Sequence, residues 1–415
     1  MLQKGGENNM SSENQNNYIK GYKYRIYPTD SQKELIRKYI DLYRFVYNWG
    51  LALEESNYKL YKDGKSDIKF FNFFDLCQEF KKFKDLEENS WLKVLPNTTA
   101  RLALRDVINS YNKFFKCKEI GHPKFKSKKR SPKMFKTRNE RFYINGDKIR
   151  FEGLSYGHTA TSSDLVDLHF DSGFTRDQNV KYIQPSISID NLGNYWVSFS
   201  IETPYELLST PKTEPIGIDV GIRHTMTLST GEIFNRPKEK IDKLKRRLSR
   251  ESHHYSRDIN RRMLEARRTK TKYDDIPISK RSQKRKEKIQ KLYNRISNIK
   301  KSFYHETIKN IVLRNPEAIV IETISTREIT SNNSWATKMF DGADFYTMHK
   351  IIEDKCTKYN IPLIKADKQY PSTQMCSCCG HIKKLRSHHT YICPVCGNRM
   401  DRDVNAAINL RNLAV

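Results

Sequence analysis

Apolar side chains recur every three or four residues through the first part of the chain, a pattern typical of helices with one buried face. One helix is predicted to begin near residue 30, where TDSQ has the form of a capping box. Its apolar positions are Ile36, Ile40, Tyr43, Tyr47 and Leu51. A further pattern, TARLALRDVINSYNKFFKCK, extends the helical region to about residue 118.

Strand-like alternation replaces the helical spacing after the basic segment GHPKFKSKKRSPKMF. Two runs, IQPSISID and YWVSFSIE, flank NLGN and predict a β-hairpin. A short strand, KGYKYRIYP, is also predicted before the helices. Because the helices that follow offer this first strand no partner, we expect it to join the later β-domain. The helical region is then an insertion.

Short apolar strands alternate with helices in the second half of the chain, which favours an α/β domain. The segment EPIGIDVGIRHTMTLSTGEIF predicts two strands around a turn, with Asp219 in the first. A strand in PEAIVIETIS ends at Glu322, and DRDVNAAINLRNL predicts a helix with Asp403 at its start. Residues 238–308 are strongly basic and predict two long antiparallel helices joined by KTKYDDIPISKR.

Composition bounds the size and the partners of the protein. With 415 residues, 37% of them hydrophobic, the chain is long enough for two or three packed domains. Lys and Arg number 76 against 48 Asp and Glu, and the resulting net charge of +28 favours a polyanionic partner. Residues 1–17 are polar and aperiodic, so we expect them to be disordered. There is no apolar run of about 20 residues and no signal-peptide core, so we expect a soluble, intracellular protein without a membrane partner.

Five of the eight cysteines lie between Cys376 and Cys396, and this clustering indicates a metal site in a reducing compartment. Four of these five form two CxxC pairs, each followed by glycine, which is typical of a structural Zn²⁺ site with four thiolates. The candidate ligands are Cys376, Cys379, Cys393 and Cys396. Cys378 is an alternative to Cys379, and the less economical alternatives are His381, His388 and His389.

Three acidic residues stand at the ends of predicted strands or helices: Asp219, Glu322 and Asp403. Any one alone would more often be a cap, a turn residue or an ion-pair partner. Together they suit phosphodiester hydrolysis, in which two divalent ions about 3.5–4 Å apart activate water and stabilise the leaving oxygen. Mg²⁺ or Mn²⁺ prefers such oxygen ligands. Spacing alone does not decide between Asp403 and its neighbour Asp401.

Basic segments supply candidate contacts to nucleic acid. In PKFKSKKRS and just beyond it, Phe125 or Phe135 is a candidate for base stacking. The candidate phosphate contacts are Lys124, Lys126, Lys128, Lys129 and Arg130. A solvated run of charge is the alternative interpretation, and the basic helical hairpin has the same two interpretations.

These motifs together resemble the TnpB family of transposon-associated, RNA-guided nucleases, which is related to the compact type V CRISPR effectors. The resemblance covers most of the chain, and the ordered combination is more specific than any single motif. It rests on KYRIYPTDSQ with RFVYNWGLAL, PKFKSKKRS, GIDVGIRHTMTLSTGE, IVIETIS, and the run from CSCCG through CPVCG to DRDVNAAINL.

The resemblance implies a multidomain fold of α/β, β and α parts. An N-terminal wedge β-barrel is interrupted by a helical recognition lobe, and an RNase H-like RuvC domain follows, with an inserted zinc ribbon. The boundaries expected are 18–28 with 126–210 for the barrel, 29–125 for the lobe, 214–371 with 398–415 for the RuvC domain, and 372–397 for the ribbon. The basic hairpin near 238–308 belongs to the RuvC domain.

The resemblance also assigns the chemistry and the partners. The RuvC acids are Asp219 in GIDVG, Glu322 in IVIE, and Asp403, which directly precedes xNAA and is favoured over Asp401. With Mg²⁺ or Mn²⁺, one active site would cut both strands of target double-stranded DNA beside a short motif. A guide RNA transcribed from the element's end would select the target. A monomer on one RNA is expected, in the cytoplasm of a prokaryote and associated with its nucleoid.

Two departures from the family pattern are visible. Thr323 stands where an acid commonly follows Glu322, and Cys378 is an additional cysteine, but neither removes a candidate ligand. One alternative function is a compact type V CRISPR effector with the same chemistry. Another is an RNA-guided repressor that cuts weakly or not at all, or another DNA-binding protein whose acids are structural. A transposase that cuts without RNA is a third.

Overall fold

A computed structural model describes residues 17–117, 120–145, 148–151, 166–168, 181–323, 344–384 and 389–415. The described residues divide into two compact units, one formed by Ile19–Thr203 and the other containing Pro204–Val415. Apart from Asn17, the predicted disordered lead lies outside the described residues. Within the described ranges, no helix has both the length and the apolar character needed to cross a membrane.

Three helices form the α-helical part of the first unit. Their bounds are Asp30–Lys62 for α1, Phe73–Asp85 for α2 and Asn97–Lys116 for α3, with a 3-10 helix over Glu87–Val94. The predicted start of α1 is confirmed, because Thr29 and Gln32 exchange the side-chain to backbone hydrogen bonds of a capping box. Helix α1 approaches α3 closely at Gly50, where an added Cβ would lie 3.0 Å from a methyl carbon of Leu104.

A seven-stranded sheet completes this unit, in the order β2-β6-β7-β1-β5-β4-β3. Its strands are β1 Asn17–Tyr27, β2 Lys133–Lys136, β3 Tyr143–Asn145, β4 Lys148–Arg150, β5 Val166–Leu168, β6 Tyr182–Ile189 and β7 Tyr195–Pro204. The predicted hairpin is confirmed by the antiparallel pairing of β6 with β7. The expected pairing of β1 with later strands is also confirmed, since β1 lies between β7 and β5. This order does not by itself show a closed barrel.

The second unit contains a mixed five-stranded sheet in the order β10-β9-β8-β11-β12. Its strands are β8 Ile216–Asp219, β9 Met226–Leu228, β10 Ile233–Phe234, β11 Ile319–Ile321 and β12 Leu363–Lys365. Strand β11 pairs in parallel with both β8 and β12, whereas β9 pairs antiparallel with β8 and β10. A separate two-stranded sheet pairs β13, Thr390–Ile392, with β14, Arg399–Asp401.

Helices α4, Lys238–Thr269, and α5, Lys280–Val312, form the predicted antiparallel hairpin. Their seam is a short apolar cluster of Ile241, Leu244, Leu292 and Ile296. Farther along, Asp258 pairs with Arg285 at 2.8 Å, and Glu251 pairs with Lys288. The apolar cluster is short, and most of the basic side chains of α4 and α5 lie at the surface.

Helix α6, Phe345–Lys358, follows β11, and helix α7, Arg402–Arg411, follows β14. Helix α7 packs directly on strand β8 at Gly217, where a Cβ atom would lie 2.0 Å from the carbonyl oxygen of Ala407. Only glycine permits this approach. Ala406 and Ala407 are fully buried in the same contact. The small residues therefore hold the first turn of α7 beside the carboxyl end of β8.

Candidate active site and cysteine cluster

Two of the predicted acids lie at the same edge of the five-stranded sheet. Asp219 is the last residue of β8, and Glu322 directly follows β11. The parallel register pairs Ile218 with Ile321, so the next residue of each strand is one of these acids. Parallel pairing thus brings together two carboxylates that are far apart in sequence.

The third acid, Asp403, lies in the first turn of α7, where it is buried. Its neighbour Asp401 is the N-cap of this helix, and its Oδ1 accepts hydrogen bonds from the backbone N–H groups of Asp403 at 2.8 Å and Val404 at 3.4 Å. The other oxygen of Asp401 pairs with Arg223 at 3.2 Å. Asp401 therefore already has a structural role, which supports Asp403 as the candidate ligand.

The charges of the three acids act on one another. Burial, followed by the charges of Glu322 and Asp403, raises the pKa of Asp219 well above its usual value. Burial raises the pKa of Glu322 to about 7. Clustered, buried carboxylates destabilise their charged forms unless a cation is added. The arrangement thus has the charge and the oxygen donors that a hard divalent cation prefers.

The three carboxylates are not packed as tightly as the ligands of a single small ion. Among the described residues, the only group of three or more His, Cys, Asp and Glu side chains whose ligand atoms all lie within 4.8 Å of one another is the cysteine quartet. At least one pair of carboxylates among Asp219, Glu322 and Asp403 is therefore farther apart than this distance.

The cysteine quartet consists of Cys376, Cys379, Cys393 and Cys396. The sulfur atoms of Cys376 and Cys396 are 3.6 Å apart, and those of Cys379 and Cys393 are 3.5 Å apart. These separations exceed an S–S bond of about 2.05 Å. They approach the sulfur spacing of about 3.8 Å that follows from tetrahedral geometry and Zn–S bonds of about 2.3 Å. The quartet could therefore hold one tetrahedral metal ion.

The structure separates Cys378 from this quartet. Cys378 does not belong to the group of mutually close sulfur atoms, so the alternative in which it replaces Cys379 is not supported. Each pair closes with a glycine in the left-handed region, Gly380 at φ 74° and Gly397 at φ 69°. The N–H of each glycine donates to the carbonyl of the first cysteine in its pair, at 2.9 and 3.1 Å. His388 lies outside the described residues.

Exchange of single cysteines tests this ligand set. Cys379→Ser should reduce bound zinc, measured by elemental analysis of the purified protein, from one ion per chain to well below one. Cys378→Ser is the matched control and should retain the full ion, because its side chain lies outside the quartet. Loss of zinc from the Cys378 variant and its retention in the Cys379 variant would reverse the assignment.

Two asparagines that sequence reasoning did not single out connect the cysteine cluster to α7. The side chain of Asn405 donates to the carbonyl of Met375 at 2.7 Å and accepts from the N–H of Ser377 at 2.9 Å. Asn409 donates to the carbonyls of Ser372 at 2.8 Å and Met375 at 2.7 Å. Both asparagines are almost fully buried. Their four-residue spacing on one helix face was the signal available in the sequence.

Sequence reasoning also missed Arg402. Its guanidinium donates to Oδ1 of Asp403 through Nε at 3.3 Å and through a terminal nitrogen at 3.2 Å. Its charge also acts on Asp219 and opposes the rise in the pKa of that carboxyl. Thr323, which stands where the family commonly has an acid, has a structural role, since its hydroxyl donates to the carbonyl of Ala366 at 2.7 Å.

The basic segment 124–130 in the first unit is held by a side chain of α1. Asn48 accepts from the N–H of Lys126 at 2.8 Å and donates to its carbonyl at 2.9 Å. Phe125 is 53% exposed, whereas Phe135 is fully buried. Phe135 therefore cannot stack on a base, and that expectation was wrong because the side chain belongs to the core of this unit. Phe125 remains a candidate.

Three family models match successive parts of the chain. The model described as "Helix-turn-helix domain" covers residues 18–63, "Probable transposase" covers 198–333, and "Cas12f1-like, TNB domain" covers 345–410. In this structure, residues 18–63 form strand β1 and the single helix α1 rather than a pair of helices. The third match contains the cysteine quartet and Asp403.

Full-length relatives extend these matches. A protein of Streptomyces pristinaespiralis named "Putative RNA-guided DNA endonuclease" is 28% identical over 400 residues, covering 94% of this chain and 88% of the relative. "Putative RNA-guided DNA endonuclease InsQ" of Escherichia coli K12 is 23% identical, covering 94% of this chain and 91% of the relative. "TnpB-like protein L770" of Acanthamoeba polyphaga mimivirus is 22% identical over 95% of this chain and 73% of its own length.

The chain belongs to the TnpB family. Among solved structures, this TnpB-family protein resembles the chain in "Cryo-EM structure of the Cas12f1-sgRNA-target DNA complex". The TM-score is 0.55 at 12% identity, and the match covers 96% of this chain and 99% of that one. This likeness supports a compact multidomain α/β fold of the kind found in that effector.

Proposed function

We propose that this TnpB-family protein is a transposon-associated, RNA-guided endonuclease that cuts double-stranded DNA beside a short target-adjacent motif. The observation that carries the proposal is the parallel pairing of β8 with β11, which ends in Asp219 and Glu322 side by side. Helix α7 adds Asp403, whose charge acts on Asp219. Relatives that match nearly the full chain are named RNA-guided DNA endonucleases, which supports the same activity.

The residues fit a pair of Mg²⁺ or Mn²⁺ ions, since the candidate donor set consists of carboxylate oxygens. Bound metal would supply the Lewis acidity that activates water and stabilises the leaving oxygen. The protein's part is to hold Asp219, Glu322 and Asp403 on rigid elements and to keep their charged forms oriented. Hydrolysis would join water oxygen to phosphorus and break the bond to the 3′ oxygen, which takes up a proton and leaves a 5′-phosphate.

The partners proposed are one guide RNA and the target DNA. A net charge of +28 suits a complex that contains both nucleic acids, because Lys and Arg side chains neutralise the negative charge of the phosphates. In such systems base pairing selects the sequence while the protein contacts the backbone. The basic faces of α4 and α5 and the segment 124–130 are proposed backbone contacts. We propose a monomer on one RNA, acting in the prokaryotic cytoplasm near the nucleoid.

The proposed domains follow the family layout. The five-stranded sheet, in which three antiparallel strands are extended by two parallel ones, supports an RNase H-like RuvC domain over 214–371 and 398–415. The cysteine quartet supports a zinc ribbon over 372–397, with Zn²⁺ as its ion. The seven-stranded sheet supports a wedge β-barrel over 18–28 and 126–210, interrupted by a recognition lobe over 29–125.

The alternatives receive less support. The full-length relatives carry nuclease, transposase or TnpB-like names rather than CRISPR names, which favours an element-encoded guide. A repressor without nuclease activity has no need of three acids around one sheet edge. Incubating the purified protein and its RNA with a matched plasmid in Mg²⁺ or in EDTA tests the activity. Linear product only with Mg²⁺ is expected, and binding without cutting would favour the repressor.

The pH dependence of metal-free stability provides a further prediction. Burial raises the pKa of Glu322 to about 7, so between its ordinary value of 4.5 and about 7 the folded protein binds more protons than the unfolded chain. Stability must then fall as pH rises through this range. Glu322→Gln should remove this contribution. We expect the melting temperature of the Gln variant, relative to wild type, to rise between pH 5 and pH 8 in EDTA.

Glu317→Gln is the matched control for that measurement, since Glu317 is exposed near the opposite end of β11. Its pH profile should follow wild type. Added Mn²⁺ should stabilise wild type more at pH 8 than at pH 6, because protons compete with the ion for the same carboxylates. An unchanged difference between wild type and Glu322→Gln at all pH values would contradict the raised pKa.

A further inference from the structure

Arg402 is the residue before Asp403, and its side chain contacts that carboxylate. Two of its nitrogens lie 3.2 and 3.3 Å from Oδ1 of Asp403. The side chain of Arg402 is 30% exposed, whereas that of Asp403 is 8% exposed. The guanidinium therefore lies on the solvent side of the carboxylate that it contacts. This is the side from which a polymeric substrate can enter.

The backbone of Arg402 is fixed while its side chain retains binding capacity. Its N–H donates to the carbonyl of His389 at 2.9 Å, and the helix cap formed by Asp401 lies immediately before it. A guanidinium has more N–H donors than the two used on Asp403 and presents them in one plane. Arg223, another arginine near this helix start, instead pairs with Asp401.

The acids themselves create the need for such a group. Asp219, Glu322 and Asp403 would repel a phosphodiester anion wherever metal charge does not balance them. An arginine aimed at a non-bridging phosphate oxygen offsets this repulsion, and its contribution grows as negative charge develops in the transition state. A side chain that already contacts one acid and acts on a second is suitably placed to do so.

We propose that Arg402 is a catalytic residue that donates hydrogen bonds to the scissile phosphate of the DNA strand held at Asp219, Glu322 and Asp403. This assignment rests on the proposed nuclease function, and it names the side chain that would contact the DNA phosphate. Arg402 itself forms and breaks no covalent bond in the hydrolysis. Arg402 supplies positive charge and N–H donors, while the carboxylates serve the metal ions.

The test uses the RNA-loaded full chain with Arg402→Ala, Arg402→Lys and the control Arg399→Ala. Arg399 is exposed on the adjacent strand β14. Three quantities are measured for each variant: the single-turnover cutting rate at saturating target and Mg²⁺, the dissociation constant for target DNA, and the affinity for Mn²⁺ by electron paramagnetic resonance. A residue that merely positions Asp403 would alter the third quantity.

Arg402→Ala should cut about 100-fold more slowly, in the range found when one transition-state donor is removed. Target affinity should change by less than about threefold and Mn²⁺ affinity should not weaken, while Arg402→Lys should recover part of the rate because it retains the charge. Arg399→Ala should match wild type. A rate within threefold of wild type, or a Mn²⁺ affinity that falls in step with the rate, would overturn the assignment. A wild type that binds its guided target without cutting would instead overturn the proposed function.

Discussion

Asp219→Asn should abolish DNA cutting while making the metal-free protein more stable. Loss of one carboxylate from a two-metal site removes several kcal/mol of transition-state stabilisation, so the rate should fall by about 1000-fold or more. Asparagine keeps the size of the side chain and removes a buried acid whose ionisation is opposed by burial and by the charges of Glu322 and Asp403. Calorimetry in EDTA should therefore show a melting temperature a few degrees above wild type.

Glu317→Gln serves again as the control, because it removes an exposed carboxylate near the other end of β11. It should cut at the wild-type rate and melt at the wild-type temperature. RNA and target binding by Asp219→Asn should be intact in a filter-binding assay. Cutting by the Asn variant at more than a tenth of the wild-type rate would show that Asp219 is not an essential residue of the active site.

Gly217→Ala should reduce both the stability of the second unit and the cutting activity. The new methyl carbon would lie 2.0 Å from the carbonyl oxygen of Ala407 and 2.6 Å from the backbone nitrogen of Arg411. Neither atom belongs to a flexible side chain, so α7 must move away from β8 and carry Asp403 with it. We expect a loss of about 3 kcal/mol in the free energy of unfolding, near the upper end of ordinary overpacking.

The matched control is Gly21→Ala, which adds a methyl group to another strand. There the nearest heavy atom would be the hydroxyl of Ser200 at 3.8 Å, an ordinary contact. Urea titration should show a small change for this variant and a large one for Gly217→Ala. Equal, small effects in both variants would mean that α7 does not rest on β8 as closely as described.

Some features of the molecule were predictable because they depend on neighbours in sequence. The capping box at Thr29 and the β6–β7 hairpin follow from local chemistry, and both are confirmed. The joining of β1 to later strands was predictable from the absence of a nearby partner. The three acids were singled out because they recur at the ends of predicted strands and helices. Their assignment as ligands stays a proposal.

Other features depend on packing between distant segments and were not accessible from the sequence. The sequence shows both Phe125 and Phe135 among lysines, and only the fold separates the exposed ring from the buried one. Cys378 and Cys379 are adjacent, so backbone geometry is needed to exclude the first from the quartet. The contacts of Asn405 with Met375 and of Arg402 with Asp403 likewise became visible only in three dimensions.

The most direct test of RNA-guided cutting at Asp219 is cutting of a plasmid by the protein co-expressed with its own flanking DNA. The purified complex is compared, in Mg²⁺, with the same complex treated with ribonuclease and with the complex carrying Asp219→Asn. We expect cutting by the intact complex alone, at a site set by the RNA. Cutting that survives ribonuclease, or that is independent of Asp219, would contradict it.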